Sequence, residues 1–305
     1  MSQDAAQDDL IGTLEQGRRK FLALVDHVRP ELHRYCARMT GSVADGEDVV
    51  QDTLARAYYE LSQLTALPPL RPWLFRIAHN RAIDYRRHEA VRVSESLDAA
   101  TEIADEPARE PDNILARNQA VRAAISCFMQ LAPAQRGCVI LKDVLDHSLD
   151  EIALELGLSL PAVKAALHRG RVALRQLPET SGPAASAREI SPALMRYASL
   201  FNAHDWDGVR GMLADDFRLD LVSRRKAAGR RELGVYFTNY ESARDWNLAP
   251  AWLAGREVLA VRLDAHGAQP RYFIELGWSD GRVATIRAYR YVPYIVQEDP
   301  IELVP

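Results

Sequence analysis

The stretch that most constrains this chain is residues 148–175, whose pattern predicts two short helices joined by a tight turn. Ser148 and Glu151 have the spacing of a capping box, which would open the first helix. Gly157 provides the backbone freedom that a sharp turn needs, and Ser159 is placed to cap the second helix. The pattern therefore predicts a helix-turn-helix, a motif whose second helix commonly lies in the major groove of DNA.

The second predicted helix carries an apolar stripe with a row of cations beside it. At about 100° per residue, the stripe consists of Leu160, Val163, Leu167 and Leu174, and the row consists of Lys164, His168, Arg171 and Arg175. Residues 160–178 contain four lysines or arginines and no acid, in a chain of net charge −4. An ordinary helical hairpin with solvated cations is the alternative. Cations without acidic partners nevertheless favour contact with DNA phosphates.

Length and composition limit the number and class of the domains. The 305 residues, 48% of them hydrophobic, are enough for two or three modest cores. The sequence has no apolar run of about 18 residues and no charged-then-apolar amino terminus, so we expect a cytoplasmic protein without a membrane span or secretory signal. Cys36, Cys127 and Cys138 lack CxxC spacing, and we expect reduced thiols and no disulfide, metal or cofactor.

Two segments of low apolar content predict linkers. Residues 93–112 contain seven acids and one base, and residues 178–187 are rich in Pro, Gly, Ser and Ala. The expected organisation is three modules at 16–92, 113–178 and 191–305, with linkers at 93–112 and 179–190. The first two modules have helical periodicity throughout. The third contains three segments typical of strands, REVLAVRLDA, RYFIELGW and RVATIRAYRY, and Asp280-Gly281 predicts a hairpin turn between the last two.

The first module contains a predicted helix with an acidic side, at residues 41–64. Its apolar side consists of Val49, Val50, Leu54 and Ala57. Its outer side is expected to carry Asp45, Glu47, Asp48 and Asp52. Acids in the first turn either complement the helix dipole or form a surface for a partner, and the sequence leaves both open.

The next predicted helix, residues 71–92, carries six arginines, two histidines and two acids. One side gathers Trp73, Arg76, Asn80, Ile83, Asp84 and Arg87. A stripe that mixes an aromatic ring, an amide and guanidinium groups suits single-stranded DNA, because cations follow the backbone while bases stack on planar groups. The alternative is a solvated arginine-rich surface with Trp73 in the core and Asp84 paired with Arg81 or Arg87.

Four segments of the chain resemble those of bacterial extracytoplasmic-function (ECF) sigma factors, the promoter-recognising subunits of RNA polymerase. They are GEDVVQDTLARAY (46–58), PWLFRIAHNRAIDYRR (72–87), LAPAQRGCVILKD (131–143) and DEIALELGLSLPAVKAALHRGRVALR (150–175). They follow the family's order and cover sigma regions 2 and 4, a little over half of the chain. The resemblance implies two all-α sigma domains, a region 2 helical bundle and a region 4 helix-turn-helix.

The resemblance further implies core RNA polymerase and promoter DNA as partners. The polymerase clamp would be contacted by Asp45, Glu47, Asp48, Gln51 and Asp52. The minus-10 element would be read and melted by Trp73, Arg76, Asn80, Asp84, Arg86 and Arg87. Region 4 would bind the polymerase flap, and would meet the minus-35 element through Ser159, Ala162, Lys164, Ala165, His168, Arg169, Arg171 and Arg175. Ala165 and Ala166 stand where many members carry polar side chains, which reduces the direct base contacts available.

The third module resembles a SnoaL-like, ketosteroid-isomerase-like α+β cone. The expected order is a helix, a break at His-Asp-Trp-Asp, a second helix, a strand from Phe217, a helix at about 229–241 and three strands. A pocket for an unknown small molecule would be lined by Phe201, Trp246, Trp252, Trp278 and Tyr289. The alternative is that these aromatic residues are plain core.

Fused cones of this kind are thought to regulate the attached sigma regions in place of a separate anti-sigma protein, and no separate anti-sigma factor is evident here. A basic run follows the first strand of the cone: Arg224, Arg225, Lys226, Arg230 and Arg231. These cations either contact DNA, polymerase or the acidic linker, or form a solvated loop.

We expect a promoter-binding protein without catalytic residues or activity of its own. One alternative is a stand-alone DNA-binding transcriptional regulator with a ligand-sensing cone. The other is a cone enzyme tethered to DNA-binding helices, for which the candidate proton-transfer residues by position are His204, Asp207, Asp216 and Asp220. The interhelix residues among them are more typical of helix caps.

Overall fold

The computed structural model describes residues 3–61, 63–94, 125–176, 189–228, 246–253, 255–263, 270–297 and 301–303. The chain divides into two compact units, Met1–Thr180 and Ser181–Pro305. Most of the acidic linker expected at 93–112 lies outside the described residues, as does most of the linker expected at 179–190. Within the described part of the chain, no helix has the length and apolar character needed to cross a membrane.

The first unit is helical, as its periodicity predicts. Its helices are α1 (Gln3–Val25), α2 (Arg29–Thr40), α3 (Val43–Leu61), α4 (Leu70–Ser94), α5 (Pro133–Val139), α6 (Leu149–Leu156) and α7 (Leu160–Gln176). A 3₁₀ turn at Ile125–Gln130 precedes α5, and a single wide turn at Ile140–Val144 follows it. The helices expected at 41–64 and 71–92 are therefore confirmed as α3 and α4, with ends that differ by a few residues.

One hydrophobic core runs through the first unit and joins the two helical modules that the sequence separates. Tyr35 and Phe75 enter it from α2 and α4, and Phe128, Ile140 and Val163 enter it from the segments after the acidic linker. Each of these five side chains is fully buried. The two modules therefore fold as a single body in this structure.

The buried side of α7 differs in one respect from the predicted apolar stripe. Val163, Ala166, Leu167 and Gly170 are buried, whereas Leu160 is 39% exposed. At about 100° per residue, Leu160 falls near the edge of the side that these four residues define. Its expected place in the core is therefore wrong.

The second unit is an α+β fold built on a sheet with seven strands among its described residues. Two helices, α8 (Pro192–Asn202) and α9 (Trp206–Gly211), precede the strands β1 (Leu213–Leu221), β2 (Arg225–Ala228), β3 (Asn247–Leu253), β4 (Arg256–Arg262), β5 (Tyr272–Ser279), β6 (Arg282–Ala288) and β7 (Glu302–Leu303). The strand order is β2-β1-β6-β5-β4-β3-β7. β1 and β6 run parallel, and the other described pairs are antiparallel.

The strands agree with the sequence in part. Asp280 and Gly281 have φ of 48° and 72°, which confirms the turn between β5 and β6. β1 begins at Leu213 rather than at Phe217, because Leu213 is buried and pairs with Val283. β2, β3 and β7 were not predicted, and the helix expected at 229–241 lies outside the described residues.

The core of the second unit lies on one face of the sheet. Tyr197 and Phe201 of α8 pack there against side chains of β1, β5 and β6, among them Phe217, Ile274 and Ile286. Alternate residues of β1 and β5 face this core, as the two-residue period of a strand requires. The opposite face of the sheet carries other side chains, and Tyr289 of the expected pocket is one of them.

Candidate nucleic-acid interface

The helix-turn-helix at 148–175 has the predicted geometry. The Glu151 amide donates to Ser148 Oγ at 3.2 Å, and the Ser148 amide donates to Glu151 Oε2 at 2.8 Å, which completes the capping box. Gly157 ends α6 with φ of 66°, and Ser159 Oγ accepts from the Ala162 amide at 3.4 Å. The bond to the Ser148 backbone also lowers the pKa of Glu151. The local sequence therefore determines both helix ends and the turn between them.

Some of the residues of α7 that are expected to contact DNA are exposed, and the others are half-buried. Ser159, Lys164 and Arg169 are exposed. The charged groups of Lys164 and Arg169 flank the open side of the helix. The half-buried members are Ala162, Ala165, His168, Arg171 and Arg175. The open side of α7 therefore carries fewer cations than the wheel predicts.

Arg171 forms an ion pair with Asp143 inside the first unit. Its Nε donates to Asp143 Oδ2 at 2.9 Å and its Nη2 donates to Asp143 Oδ1 at 2.6 Å, a bidentate pair. The Asp143 side chain is only 2% exposed, and it raises the pKa of Arg171 through these hydrogen bonds. The structure therefore places Arg171 as a partner of the turn after α5 rather than toward the solvent.

The arginine-rich side of α4 is largely open. Arg76, Asn80 and Arg87 are exposed, and Trp73, Asp84 and Arg86 are half-buried. Trp73 packs against the core of the first unit. Asp84 lies within 4.0 Å of both Arg81 and Arg87, which agrees with the alternative that it pairs with these arginines. Asn80 and Arg87 are the members best exposed to an incoming strand.

The acids of α3 are less exposed than the sequence suggests. Asp45 and Glu47 are buried, so the expectation that they lie outside is wrong. Glu47 forms an ion pair with Arg29 of α2, which explains how a carboxylate can be fully buried there. Asp52 is exposed and pairs with Arg81 of α4. Of the five expected clamp contacts, the ones still reachable from solvent are Asp48, Gln51 and Asp52.

An ionic cluster joins α2, α4 and α6, and it consists of half-buried Glu31 and Arg71 with buried His147 and Glu155. Arg71 Nε donates to Glu31 Oε2 at 3.0 Å, and His147 lies between the two carboxylates, 3.1 Å from Glu31 Oε1 and 2.9 Å from Glu155 Oε2. His147 and Glu155 are buried. Helices from before and after the acidic linker therefore share one set of charges.

The cluster shifts the pKa values of its members. Burial alone would raise the pKa of Glu31, but hydrogen bonds with His147 and Arg71 outweigh burial and lower it to about 2. Burial alone would lower the pKa of His147, but its bonds to Glu155 and Glu31 raise it. The carboxylate of Glu31 therefore contacts Arg71 of one module and His147 of the other.

Sequence reasoning missed a second set of residues at the same junction. Arg136 Nη1 donates to the Met39 carbonyl at 2.6 Å, near the end of α2, and its Nη2 donates to the Leu131 carbonyl at 2.9 Å. Burial lowers the pKa of this guanidinium to about 10, so it stays charged at neutral pH. The sequence feature that could have indicated these contacts is a single arginine inside the apolar segment LAPAQRGCVILKD.

The expected pocket residues of the second unit lie on two faces of the sheet. Phe201, Trp246 and Trp278 belong to or pack against the core, and Trp252 alternates in phase with the core residue Leu248. Tyr289 lies on the opposite face, where its ring stacks on Phe273 at 4.2 Å between centroids and its hydroxyl donates to Glu275. The structure therefore does not bring Tyr289 together with the other four.

The candidate proton-transfer residues are also separated. His204 and Asp207 are exposed in the turn between α8 and α9 and at the start of α9, and Asp216 is exposed on β1. Asp220 lies on the face of the sheet opposite the core, within 3.4 Å of Arg287. Asp205 caps α9 by accepting from the Gly208 amide at 2.8 Å. These side chains do not converge on one site.

A helical unit with a helix-turn-helix and a second, arginine-rich helix is typical of nucleic-acid-binding proteins. Comparison with known proteins narrows the class. The family described as Sigma-70 region 2 matches residues 24–92, and the family described as Sigma-70, region 4 matches residues 122–174. The chain belongs to the ECF family of RNA polymerase sigma factors.

Named relatives support this assignment. The chain is 32% identical over 218 residues to the ECF RNA polymerase sigma factor SigG of Mycobacterium tuberculosis, covering 63% of this chain and 59% of SigG. It is 30% identical over 169 residues to the ECF RNA polymerase sigma factor SigW of Bacillus subtilis, covering 51% of this chain and 87% of SigW. The chain thus spans less than two thirds of SigG but most of SigW.

One solved structure resembles this chain over most of its length. It is the extracytoplasmic function sigma factor SigJ of Mycobacterium tuberculosis, which is 19% identical with a TM-score of 0.36, covering 92% of this chain and 100% of that chain.

Proposed function

We propose that this chain binds core RNA polymerase and directs it to promoters. The observation that carries the proposal is that one chain presents two separate polar surfaces, the open side of α4 and the open side of α7, on segments that match sigma regions 2 and 4. A protein that must recognise two DNA elements needs two such surfaces. The roles of individual residues follow from what each surface exposes.

The open side of α4 would contact the minus-10 element. Asn80 offers an amide for base edges, and Arg87 and Arg76 offer guanidinium groups for phosphates or for stacking on unpaired bases. Half-buried Trp73 would support these contacts from the edge of the core. Recognition of this element would therefore combine charge with stacking.

The open side of α7 would contact the minus-35 element chiefly through phosphates. Lys164 and Arg169 are its exposed cations, and the helix begins at the Ser159 cap, where backbone amides also favour anions. Ala162 and Ala165 offer apolar contact but no hydrogen bonds. Binding at this element would therefore depend on salt more than on base sequence.

The clamp of the polymerase would be met by the reachable side of α3. Asp48, Gln51 and Asp52 remain open to a partner there, whereas buried Asp45 and Glu47 would act by holding α3 in place. The flap would be met by region 4. No step in this role requires catalysis by the chain, and the proposal assigns none.

In vitro transcription with purified core polymerase tests the role. The full chain is expected to give promoter-dependent transcripts that core polymerase alone does not give. Replacing Asn80 and Arg87 with alanine should lower the yield at least tenfold while binding to core polymerase is retained. The matched control is Arg56→Ala, which removes an exposed arginine from α3. Tight binding to duplex DNA without polymerase, together with inactivity in transcription, would favour a stand-alone regulator instead.

We also propose that the second unit regulates the first in cis, in place of a separate anti-sigma protein. The support is that residues 181–305 form their own compact unit with a separate core, so the unit folds without contributing to the core that carries the sigma regions. An unknown small molecule held on its aromatic core side, near Phe201, Trp246 and Trp278, would be the signal.

Removal of the second unit tests this regulation. A chain that ends at Thr180 keeps the whole core of the first unit and is expected to fold. Its transcription at a given concentration should differ at least threefold from that of the full chain, and the sign of the difference would say whether the second unit activates or inhibits. Equal activity of the two chains at matched occupancy of polymerase would remove the regulatory claim.

A further inference from the structure

The topology of the second unit brings several turns and strand ends together at one end of its sheet. β1 and β6 run parallel, with Leu221 opposite Ala288, so both strands finish at the same end. Because the other described pairs are antiparallel, β2, β5 and β3 begin at that end and β4 finishes there. We refer to it as the basic end, and it consists of residues 221–226, 246–249, 260–263, 270–273 and 288–292.

The residues of the basic end include six cations and no acid. The cations are Arg224, Arg225, Lys226, Arg262, Arg271 and Arg290, and all of them except half-buried Arg262 are exposed. The described residues at the opposite end of the sheet, 212–216, 251–253, 255–257 and 278–283, instead include four acids and two arginines. Cations crowded together repel one another, and an anionic partner would relieve that repulsion. The charge of the basic end therefore indicates a polyanion.

Two of these arginines are stacked on aromatic rings. The Cζ atom of Arg224 lies 4.8 Å from the centre of the Tyr291 ring, and that of Arg290 lies 5.1 Å from the centre of the Trp246 ring. Stacking fixes the plane of a guanidinium group but leaves the N–H donors at its edge open. The described residues give neither arginine a carboxylate partner. Both groups are therefore held in place with their charge and their donors available.

The balance of charge changes within a short distance along β6. Arg287, on the strand itself, lies 3.4 Å from Asp220 and 3.7 Å from Glu275, so its charge is compensated. At the basic end, Arg262 Nη2 donates to Asn247 Oδ1 at 3.2 Å, and this amide carries no charge. Arg262 Nε is buried and has no hydrogen-bond partner among the described residues. Uncompensated cations are therefore a property of the basic end rather than of the whole sheet.

The spread of the cations favours an extended partner over a small one. From β1 to β3 the sheet has four strand spacings, which is about 19 Å measured along the sheet. One strand of duplex DNA carries a phosphate about every 3.4 Å along the axis, so roughly five or six phosphates match this length. A small anion would reach only one or two of the cations. Guanidinium groups also suit phosphates, because their paired N–H donors bind two oxygens at once.

We propose that the basic end of the second unit binds the phosphate backbone of duplex DNA, with Arg224 and Arg290 as its main contacts. This would be a third DNA contact, beside the open sides of α4 and α7. The choice of DNA as the polyanion rests on the proposed function. Phosphate contacts read no bases, so this contact is weak, independent of base sequence and strongly dependent on salt.

Binding of the full chain, without polymerase, to a short labelled duplex that lacks a promoter tests this contact by fluorescence anisotropy. Replacing Arg224 and Arg290 together with glutamine should weaken binding about tenfold at about 0.1 M salt. The slope of log K against log salt should become less steep by about 2, because each lost phosphate contact accounts for about 0.9. Replacing both with lysine keeps the two charges and should preserve the slope.

The matched control is the pair Arg218→Gln and Arg282→Gln. These are exposed arginines of the same two strands, β1 and β6, outside the basic end, so the net charge changes equally. The control should bind the duplex with the wild-type slope. Circular dichroism checks that every variant keeps the wild-type fold.

The outcomes separate this inference from the proposed function. Weaker binding and a shallower slope in the glutamine variant, and not in the control, support the DNA contact. Equal affinity and slope in the glutamine variant and the wild type would overturn it. So would a glutamine variant that binds DNA normally but loses affinity for core polymerase, which would assign the basic end to the polymerase. A chain whose basic end binds DNA but that gives no promoter-dependent transcripts would overturn the proposed function and leave this contact standing.

Discussion

Replacing Arg171 with alanine is expected to lower the free energy of unfolding of the first unit by about 3–5 kcal/mol, the usual cost of removing one partner from a buried ion pair. Asp143 would be left buried without its two hydrogen bonds from the guanidinium group. Urea denaturation followed by circular dichroism measures the loss. The matched control, Arg169→Ala, removes an exposed arginine two positions earlier and should change stability by less than about 0.5 kcal/mol.

The same pair of variants distinguishes a structural arginine from a DNA contact. Arg169→Ala should weaken DNA-dependent steps while the fold stays intact, whereas Arg171→Ala should act through stability. Removing both Asp143 and Arg171 should cost less than the sum of the two single changes, since no unpaired charge remains. A stable Arg171→Ala chain that merely loses DNA binding would contradict the structural role.

Replacing Arg136 with methionine should lower the free energy of unfolding by about 2–6 kcal/mol, because two buried carbonyls lose a charged donor. Its guanidinium donates to carbonyls of Met39 and Leu131, and methionine fills much of the space but donates nothing. Carbonyls left buried without a donor cost about 1–3 kcal/mol each. The measurement is again urea denaturation of the full chain, in which the loss should appear in the transition of the first unit.

Arg56→Met is the control for this change. Arg56 forms an exposed i,i+4 pair with Glu60, and pairs of this kind contribute about 0.3–0.5 kcal/mol. If Arg136→Met proves no more harmful than Arg56→Met, then Arg136 does not secure the junction between α2 and α5. Recovery of stability by Arg136→Lys would show that an ammonium donor can replace the guanidinium group at these carbonyls.

The sequence predicted the helix-turn-helix well because its determinants are local. The capping box of Ser148 and Glu151 and the turn at Gly157 depend on residues a few positions apart, and all were found as expected. Arg171 shows the limit of the same reasoning. A helical wheel gives the direction of a side chain, but it does not reveal that Asp143, 28 positions earlier, lies in that direction.

On α3, the structure differs from the sequence-based prediction mainly because charged residues are buried. Glu47 stands among acids in a sequence pattern typical of an exposed helix side, and its partner Arg29 lies on another helix. The contacts between the two sigma regions escaped prediction for the same reason. Tyr35, His79 and Gly137 lie far apart in the sequence, and nothing local marks them as neighbours.

Of the three described strands that were not predicted, β2 and β3 were missed because their composition is atypical of strands. β3 contains Pro250, which lacks a backbone N–H and argues against a central strand. β3 nevertheless pairs with β4 along its whole length and with β7 at two positions, Ala251 and Trp252. β2 consists of Arg225, Lys226 and two alanines, which resemble a solvated loop more than a strand.

β2 has a consequence for how this protein avoids aggregation. It lies at one end of the described sheet and pairs with β1, so its outer backbone groups are placed where a strand of another molecule could add. Exposed cations on an edge strand disfavour such addition, because a second copy would bring like charges together. Arg225 and Lys226, first considered as contacts for a polyanion, are thus placed to keep separate molecules of the chain from joining edge to edge.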